Sequence, residues 1–254
     1  ILAAIVAVLL AATAVSMDFW NVRVEDVLVG QESSSYRVNG EIPVIPLESF
    51  SDEVASAMED VSQKMEEQDL YLNSSPGYWL RTFDRWADCE EFIGFPLNNP
   101  LEKSSLLETA NYFAIAQDAE TLNEESQRHC AVALQGNIKG ELQHVTIDTG
   151  YLMGPIRIQM TVSLYPEGSG MEPGTGGSWN GEAEFEITSG VTGEGIPYTL
   201  VVSETPESDY YNDFSSADAY FVLKNGLYTL DAVSPGRDSG ADAKAALEEL
   251  LALF

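Results

Sequence analysis

The stretch Ile156 to Tyr165 constrains this chain more than any other, because apolar and polar residues alternate along it without a break. Ile156, Ile158, Met160, Val162 and Leu164 fall on one side, and Arg157, Gln159, Thr161, Ser163 and Tyr165 on the other. A period of two sends the sets to opposite faces of a strand, so one face is expected to be buried and the other wet. The same period recurs through the second half. Cys130 to Leu134, Glu141 to Asp148, Ala183 to Ile187 and Tyr198 to Ser203 each read as strands. Tyr220 to Leu230 reads as two strands around Asn225-Gly226, the dipeptide that suits a type I′ hairpin turn.

The first half mixes periods. Val22 to Val29 is rich in β-branched residues and alternates on either side of Glu25-Asp26, which predicts a strand with a bulge. Tyr36 to Ile42 predicts a tight hairpin turning at Asn39-Gly40, after which Pro43 and Pro46 break the pattern. Ser49 to Asp69 predicts a helix with Phe50, Val54, Met58, Val61 and Met65 on one face, capped by Ser49 with Asp52 three residues on. Pro76 to Ile93 predicts a short helix that aligns Trp79, Phe83 and Trp86 as an aromatic face, a candidate docking surface for a partner. Leu101 to Glu125 predicts another helix, on Leu106, Leu107, Ala110, Phe113 and Ala114. A last helix from about Ala241 gathers Leu247, Leu250, Leu251 and Phe254 on one face. The Gly-rich stretch from Gly168 to Gly181 reads as a flexible hairpin connection, since it lacks the Lys and the strand-to-helix setting of a phosphate loop. Helices first, then antiparallel strands, then one helix predict an α+β fold: an antiparallel sheet covered by helices on one face.

Ahead of this lies an apolar run, Ile1 to Met17, with no charged residue. As a helix it would be roughly 26 Å long, near the thickness of a bilayer core, which predicts an N-terminal transmembrane helix. Ile5, Leu9 and Leu10 would face lipid or a partner helix, and Phe19 and Trp20 would sit at the interface. The chain then divides into an anchor at 1–17, a juxtamembrane β segment at 18–46 and an extracytoplasmic α+β domain at 47–254. The expected partners are membrane lipid and membrane-protein subunits. A second reading is a pilin-like filament subunit that self-assembles through this helix; the β-type residues from Val22 onward argue against a long stalk helix.

Charge narrows the partner class further. Twelve Lys and Arg stand against 41 Asp and Glu, for a net charge of -29, which repels a phosphate backbone and excludes nucleic acid. No nucleophile elbow, His-Glu-x-x-His or Cys-x-x-Cys motif is present, so no catalytic residue, cofactor or metal is expected. His129, His144, Cys89 and Cys130 could be written as a zinc set, but adjacent residues on a strand point to opposite faces, so His129 and Cys130 are not expected to share an ion. Asp84 and Asp88, among the aromatics, are the acids nearest an apolar frame and read as partners of Arg81 and Arg85. Asp209, Asp213 and Asp218 lie in an acidic loop without EF-hand spacing, which leaves only a chance Ca²⁺ site there. A disulfide between Cys89 and Cys130 would close a loop of about 40 residues and stabilise by roughly 4 kcal/mol; two buried thiols are the alternative.

The closing pattern, a hairpin over Ala219 to Val233, a Gly/Asp-containing loop and then ADAKAALEELLALF, resembles the end of actinobacterial cell-envelope lipoproteins of small α+β type. The Cys89 and Cys130 pair, with the second cysteine opening the sheet, is similar to that group's arrangement. The resemblance implies an envelope location and a fold, not an activity, and this chain has an apolar run where that group has a lipidated cysteine. Together these features predict a membrane-anchored, extracytoplasmic, non-catalytic binding or accessory subunit of a membrane complex. An envelope hydrolase is a further alternative.

Overall fold

The alternating stretch becomes β8 (Ile156–Pro166), a central strand of a large antiparallel sheet in a computed structural model. The structure describes residues 22–30, 33–67, 77–112, 128–137, 139–180, 183–204, 214–236 and 239–254. In chain order the strands are β1 (Val22–Val29), β2 (Ser33–Gly40), β3 (Val44–Ile45), β4 (Gly77–Phe83), β5 (Glu108–Ala110), β6 (Cys130–Gly136), β7 (Leu142–Met153), β8, β9 (Gly174–Asn180), β10 (Glu184–Val191), β11 (Pro197–Glu204), β12 (Phe214–Leu223) and β13 (Gly226–Pro235). The helices are α1 (Asp52–Glu67), α2 (Trp86–Ile93) and α3 (Gly240–Leu251). The large sheet runs β10-β11-β12-β13-β8-β7-β6-β4, with β3 added to β8 and β5 to β7; a small sheet runs β1-β2-β9.

One face of the large sheet carries Val132, Leu134, Val145, Ile147, Ile158, Met160, Val162 and Leu164, all without exposed surface. Val54, Met58 and Val61 of α1, Cys89, Phe92 and Ile93 of α2 and Leu247, Leu250 and Leu251 of α3 close over it in one core. The opposite face, expected to be wet, is covered in part by the small sheet. Val22, Tyr36, Val38 and Ile42 pack there against Tyr165, Val201, Tyr220 and Leu227. Residues expected as a juxtamembrane segment therefore lie in this second layer.

These layers overturn the expected α+β fold headed by a transmembrane helix. The described chain is mostly antiparallel β, and no helix among the described residues is long and apolar enough to cross a membrane. Ile1 to Met17 lies outside the described residues. The differences have local causes. Trp79 and Phe83 are four residues apart, a spacing that fits a strand face as well as a helix face. Gly77 to Phe83 pairs antiparallel with β6, and the helix starts only at Trp86. Where the sequence predicts a helix from Leu101, Pro100 opens a single 3-10 turn (Pro100–Lys103) capped by Asn99, and Glu108 to Ala110 pairs with β7 instead. Asn39 and Gly40 do not turn; they end β2 opposite Arg23 and Val22. The Gly-rich stretch holds a strand, β9, because its glycines let two backbones approach: a Cβ on Gly174 would lie 2.9 Å from the Val38 carbonyl oxygen. The α1 cap is Ser51, whose Oγ accepts from the Val54 N–H at 3.2 Å, while Ser49 belongs to a preceding 3-10 turn. β1 carries a bulge, with a register shift between Glu25 and Leu28 and Asp26 at φ 56°.

The β12–β13 hairpin turns one residue earlier than Asn-Gly predicts. Leu223 pairs with Gly226, leaving Lys224 and Asn225 in the turn, with Lys224 at φ 55°. Gly226 has a packing role: a Cβ there would sit 2.8 Å from Val162 Cγ1 and 3.2 Å from Leu164 Cδ2. Gly226→Ala is expected to destabilise by about 1–3 kcal/mol through overpacking. A urea melt with a lower midpoint and an unchanged slope checks it.

Candidate functional site

The register of β6 on β7 sets Cys130 opposite Thr149 on the helix-covered face. α2 lies above them with Trp86, Cys89, Phe92 and Ile93 turned inward, and ends at Gly94 with φ 101°. This brings Cys89 against Cys130 as two buried thiols. The disulfide expected for them would join these neighbouring sulfurs.

His129 precedes the strand, so strand alternation does not govern it. Its ring swings to the same side as Cys130, so the two side chains converge where alternation along a strand would part them. His129 Nδ1 lies 2.9 Å from the Ala110 carbonyl oxygen, to which it donates. Nε2 lies 2.7 Å from Glu102 Oε1, on the turn after Pro100, and 3.0 Å from Thr149 Oγ1. Tyr151 donates to the same Glu102 oxygen at 3.1 Å and accepts from Asn99 Nδ2 at 2.8 Å. The ligand atoms of Glu102, His129 and Cys130 all lie within 4.8 Å of one another. Sequence reasoning missed Glu102, one acid among 41.

Burial pushes the His129 imidazole down, but its hydrogen bonds to Cys130, Glu102 and the Ala110 carbonyl outweigh it and raise the pKa to about 10. The His129 hydrogen bond holds the Glu102 carboxyl below its usual range. Of the thiols, Cys130 is the one lowered, first by the hydrogen bond from Cys89 and then, against burial, by His129; Cys89, as that donor and under burial, is raised. Thiol, imidazole and carboxylate in this order can activate a nucleophile. Here both sulfurs have no exposed surface, so a substrate does not reach them in this conformation. Beside the cluster lies a cavity of about 620 Å³ lined by Trp86, Glu90, Leu97, Asn98, Asn99 and Glu102. Glu90, on its wall, is bonded inward: its Oε1 accepts from Trp86 Nε1 at 3.1 Å and from the Leu97 N–H at 2.7 Å.

A second cluster sits between the two sheets. Asp218 of β12 and Asp231 of β13 are cross-strand partners. Tyr36, from the small sheet, donates to Asp218 Oδ2 at 2.7 Å and lies 2.6 Å from the Tyr220 hydroxyl. Burial raises both carboxyls, Asp231 well above its usual value; the charge of Asp218 adds to that, and the hydrogen bond between the two acids favours the protonated form of Asp231 and the ionised form of Asp218. Asp148 of β7 faces the same side and accepts from Thr161 at 2.6 Å and Gln159 at 3.2 Å. Asp218, read as part of an acidic loop, is thus inside a strand. The available signal was the apolar alternation of Ala217, Ala219 and Phe221 around it.

The remaining expected site residues are scattered. Phe83 and Trp86, two of the three candidate docking aromatics, are buried in the core; Trp79 is half-buried and stacks on Phe92 at 5.1 Å. Asp88 pairs with Arg85, as Arg85 Nε donates to it at 3.0 Å. Asp84 faces Arg128 at 3.8 Å, whereas Arg81 lies over the Phe83 ring at 5.2 Å. His144 stacks on Tyr165 at 4.8 Å, far along β7 from His129, and burial lowers its pKa to about 4. Ile5, Leu9, Leu10, Phe19, Trp20, Asp209 and Asp213 lie outside the described residues. No family model, curated protein or solved structure matches this chain.

Proposed function

We propose that this chain is a non-catalytic binding subunit that takes up an extended segment of a protein partner on the outer edge of β10. The observation that carries this reading is the edge itself. β10 pairs in regular register with β11 along all eight of its residues, and among the described residues no strand pairs with its other side. Edge strands are commonly blunted by charged side chains, Pro or a bulge; Glu184 to Val191 (EFEITSGV) has no Pro and no bulge, and its charges, Glu184 and Glu186, are confined to its first three residues. Ile187 and Val191 are 41% and 56% exposed along it. Such an edge offers main-chain hydrogen bonds for affinity and alternate side-chain positions for selectivity. Glu184 and the net charge of -29 favour a partner strand that carries basic residues and disfavour nucleic acid. The inward bonding of both clusters of titratable side chains supports binding over catalysis.

A photo-crosslinking residue at Ser189, tested in the native cell, is expected to give one protein adduct that disappears when Ile187→Lys is added. The same residue at Glu249, on the exposed side of α3, is the control. Identical adducts from both positions, or none from Ser189, would remove the reading.

A further inference from the structure

Donors of three chemistries meet under α2 from three separate segments of the chain. We propose that Glu102, His129 and Cys130, with Cys89 as fourth ligand, form a site for a borderline divalent transition-metal ion, zinc being the occupant that best suits the donor set. The first support is the orientation of the imidazole. Its Nδ1–H is committed to the Ala110 carbonyl at 2.9 Å, so Nε2, which points at Glu102 and Cys130, is the nitrogen that would release its proton to take the ion. Metal-bound histidines are held by this kind of outer hydrogen bond. The carboxylate has an outer shell as well: Tyr151 holds Oε1 at 3.1 Å and is itself held by Asn99 at 2.8 Å.

Spacing is the second support. Metal–ligand bonds of about 2.0 to 2.3 Å place tetrahedral donors roughly 3.3 to 3.8 Å apart. The Nε2–Oε1 contact of 2.7 Å has to open and the widest separation in the trio, at most 4.8 Å, has to close. Both are adjustments of about an ångström or less at side-chain ends. Cys89, already in contact with Cys130, approaches from α2. Sulfur donors disfavour Mg²⁺ and Ca²⁺ and suit zinc or cobalt. Two thiolates and one carboxylate with a neutral imidazole leave a net charge of minus one around a divalent ion, less than the bare anions would impose on a buried site. Glu102 lines the neighbouring cavity, which supplies an entry path.

The ion would tie α2, the turn after Pro100 and the start of β6 together. Binding is therefore expected to raise the melting temperature, because an ion held only by the folded state stabilises it by mass action.

The test uses the full chain, reduced under argon and titrated with Co²⁺. The expected result is one tightly bound ion per chain, near-ultraviolet sulfur-to-cobalt charge transfer, the visible bands of a tetrahedral site, and their loss on adding Zn²⁺. Cys130→Ser and Cys89→Ser should each weaken the charge transfer, and the double variant should abolish it. Glu102→Gln, at a partly exposed position that leaves the core intact, should lower affinity at least about tenfold. Circular dichroism of each variant separates loss of the site from loss of the fold. Cobalt bound without charge transfer, or a reduced chain that binds no cobalt, overturns the proposal. Charge transfer that survives undiminished in a folded Cys130→Ser variant, or at all in a folded double variant, overturns it as well.

Discussion

Replacing Asp231 by asparagine should stabilise this domain by roughly 1 to 3 kcal/mol at alkaline pH, against the usual direction for a change in a buried position. The reason is the shared proton. Asp218 and Asp231 face each other across β12 and β13, and burial raises both above the ordinary carboxyl value of 3.8. In the unfolded chain both ionise near that value. Below it, folded and unfolded states are protonated alike, and the contribution of the pair is fully present. As the pH rises towards the folded values, folding must take up protons that the unfolded chain has released, so stability falls. Asp148, raised by burial, acts in the same direction. His144 acts on the acid side: its folded pKa of about 4 lies below 6.5, so its contribution is present above 6.5 and is lost as the pH falls towards 4. The two effects oppose each other between about pH 4 and 6.5, and above 6.5 the fall due to the carboxyls is no longer offset by His144.

In the Asp231→Asn variant the new side-chain amide donates to Asp218 without a titrating proton, so the variant should lose much of the alkaline slope. Urea melts between about pH 5 and 9 give the test. The gap between Asp231→Asn and the parent should widen with pH. A variant less stable than the parent at every pH, with the slope unchanged, would show that the pair does not share a proton. The dyad also has a mechanical side. Tyr36 of the small sheet bonds Asp218, so ionising the pair acts on the joint between the two sheets. Hydrogen exchange in β2 should rise with pH beyond its intrinsic increase.

The second half of the chain was legible because strict alternation leaves a strand little choice. Once Ile158, Met160 and Val162 lie on one face, any slip of register would expose all of them. The first half was not, because two periods agree there. Trp79 and Phe83 suit either element, and the choice fell to pairing with β6, through Leu134 and Cys130, a contact made across about fifty residues of sequence. The small sheet escaped for another reason. β9 is Gly-rich, so its strand character comes from close approach of backbones and not from its side chains. The Glu102–His129–Cys130 cluster was half-visible. Both His129 and Cys130 stood out as rare residues, but one position outside a strand was enough to defeat the argument from alternation. Asp218 and Asp231 disappeared among 41 acids until their strands gave them neighbours.

The second large effect is expected at Phe254. Its ring has no exposed surface and packs edge-on against Phe221 at 4.9 Å and Tyr228 at 6.0 Å, two rings on the core face of β12 and β13. Phe254→Ala removes an aromatic side chain from a closed site and should destabilise by about 3–5 kcal/mol, the lost transfer free energy plus the cavity left behind. Closure depends on the turn after α3. The Glu194 N–H donates to the Phe254 carbonyl at 3.0 Å, and the Gly193 N–H donates to that of Leu251 at 3.2 Å. These bonds anchor the turn to the β10–β11 connection, so the neighbours cannot easily collapse into the gap, and a value near the upper end is expected. Leu253 is the control: it lies on the same turn but is 39% exposed, and Leu253→Ala should change stability by no more than about 0.5 kcal/mol. Equilibrium urea melts of the two variants decide the matter. Equal and small losses would mean that the turn detaches in solution and that the ring spends little time in the core. A large loss at Phe254 alone would mean that the ring stays seated between Phe221 and Tyr228 and fastens α3 to the sheet from its far end.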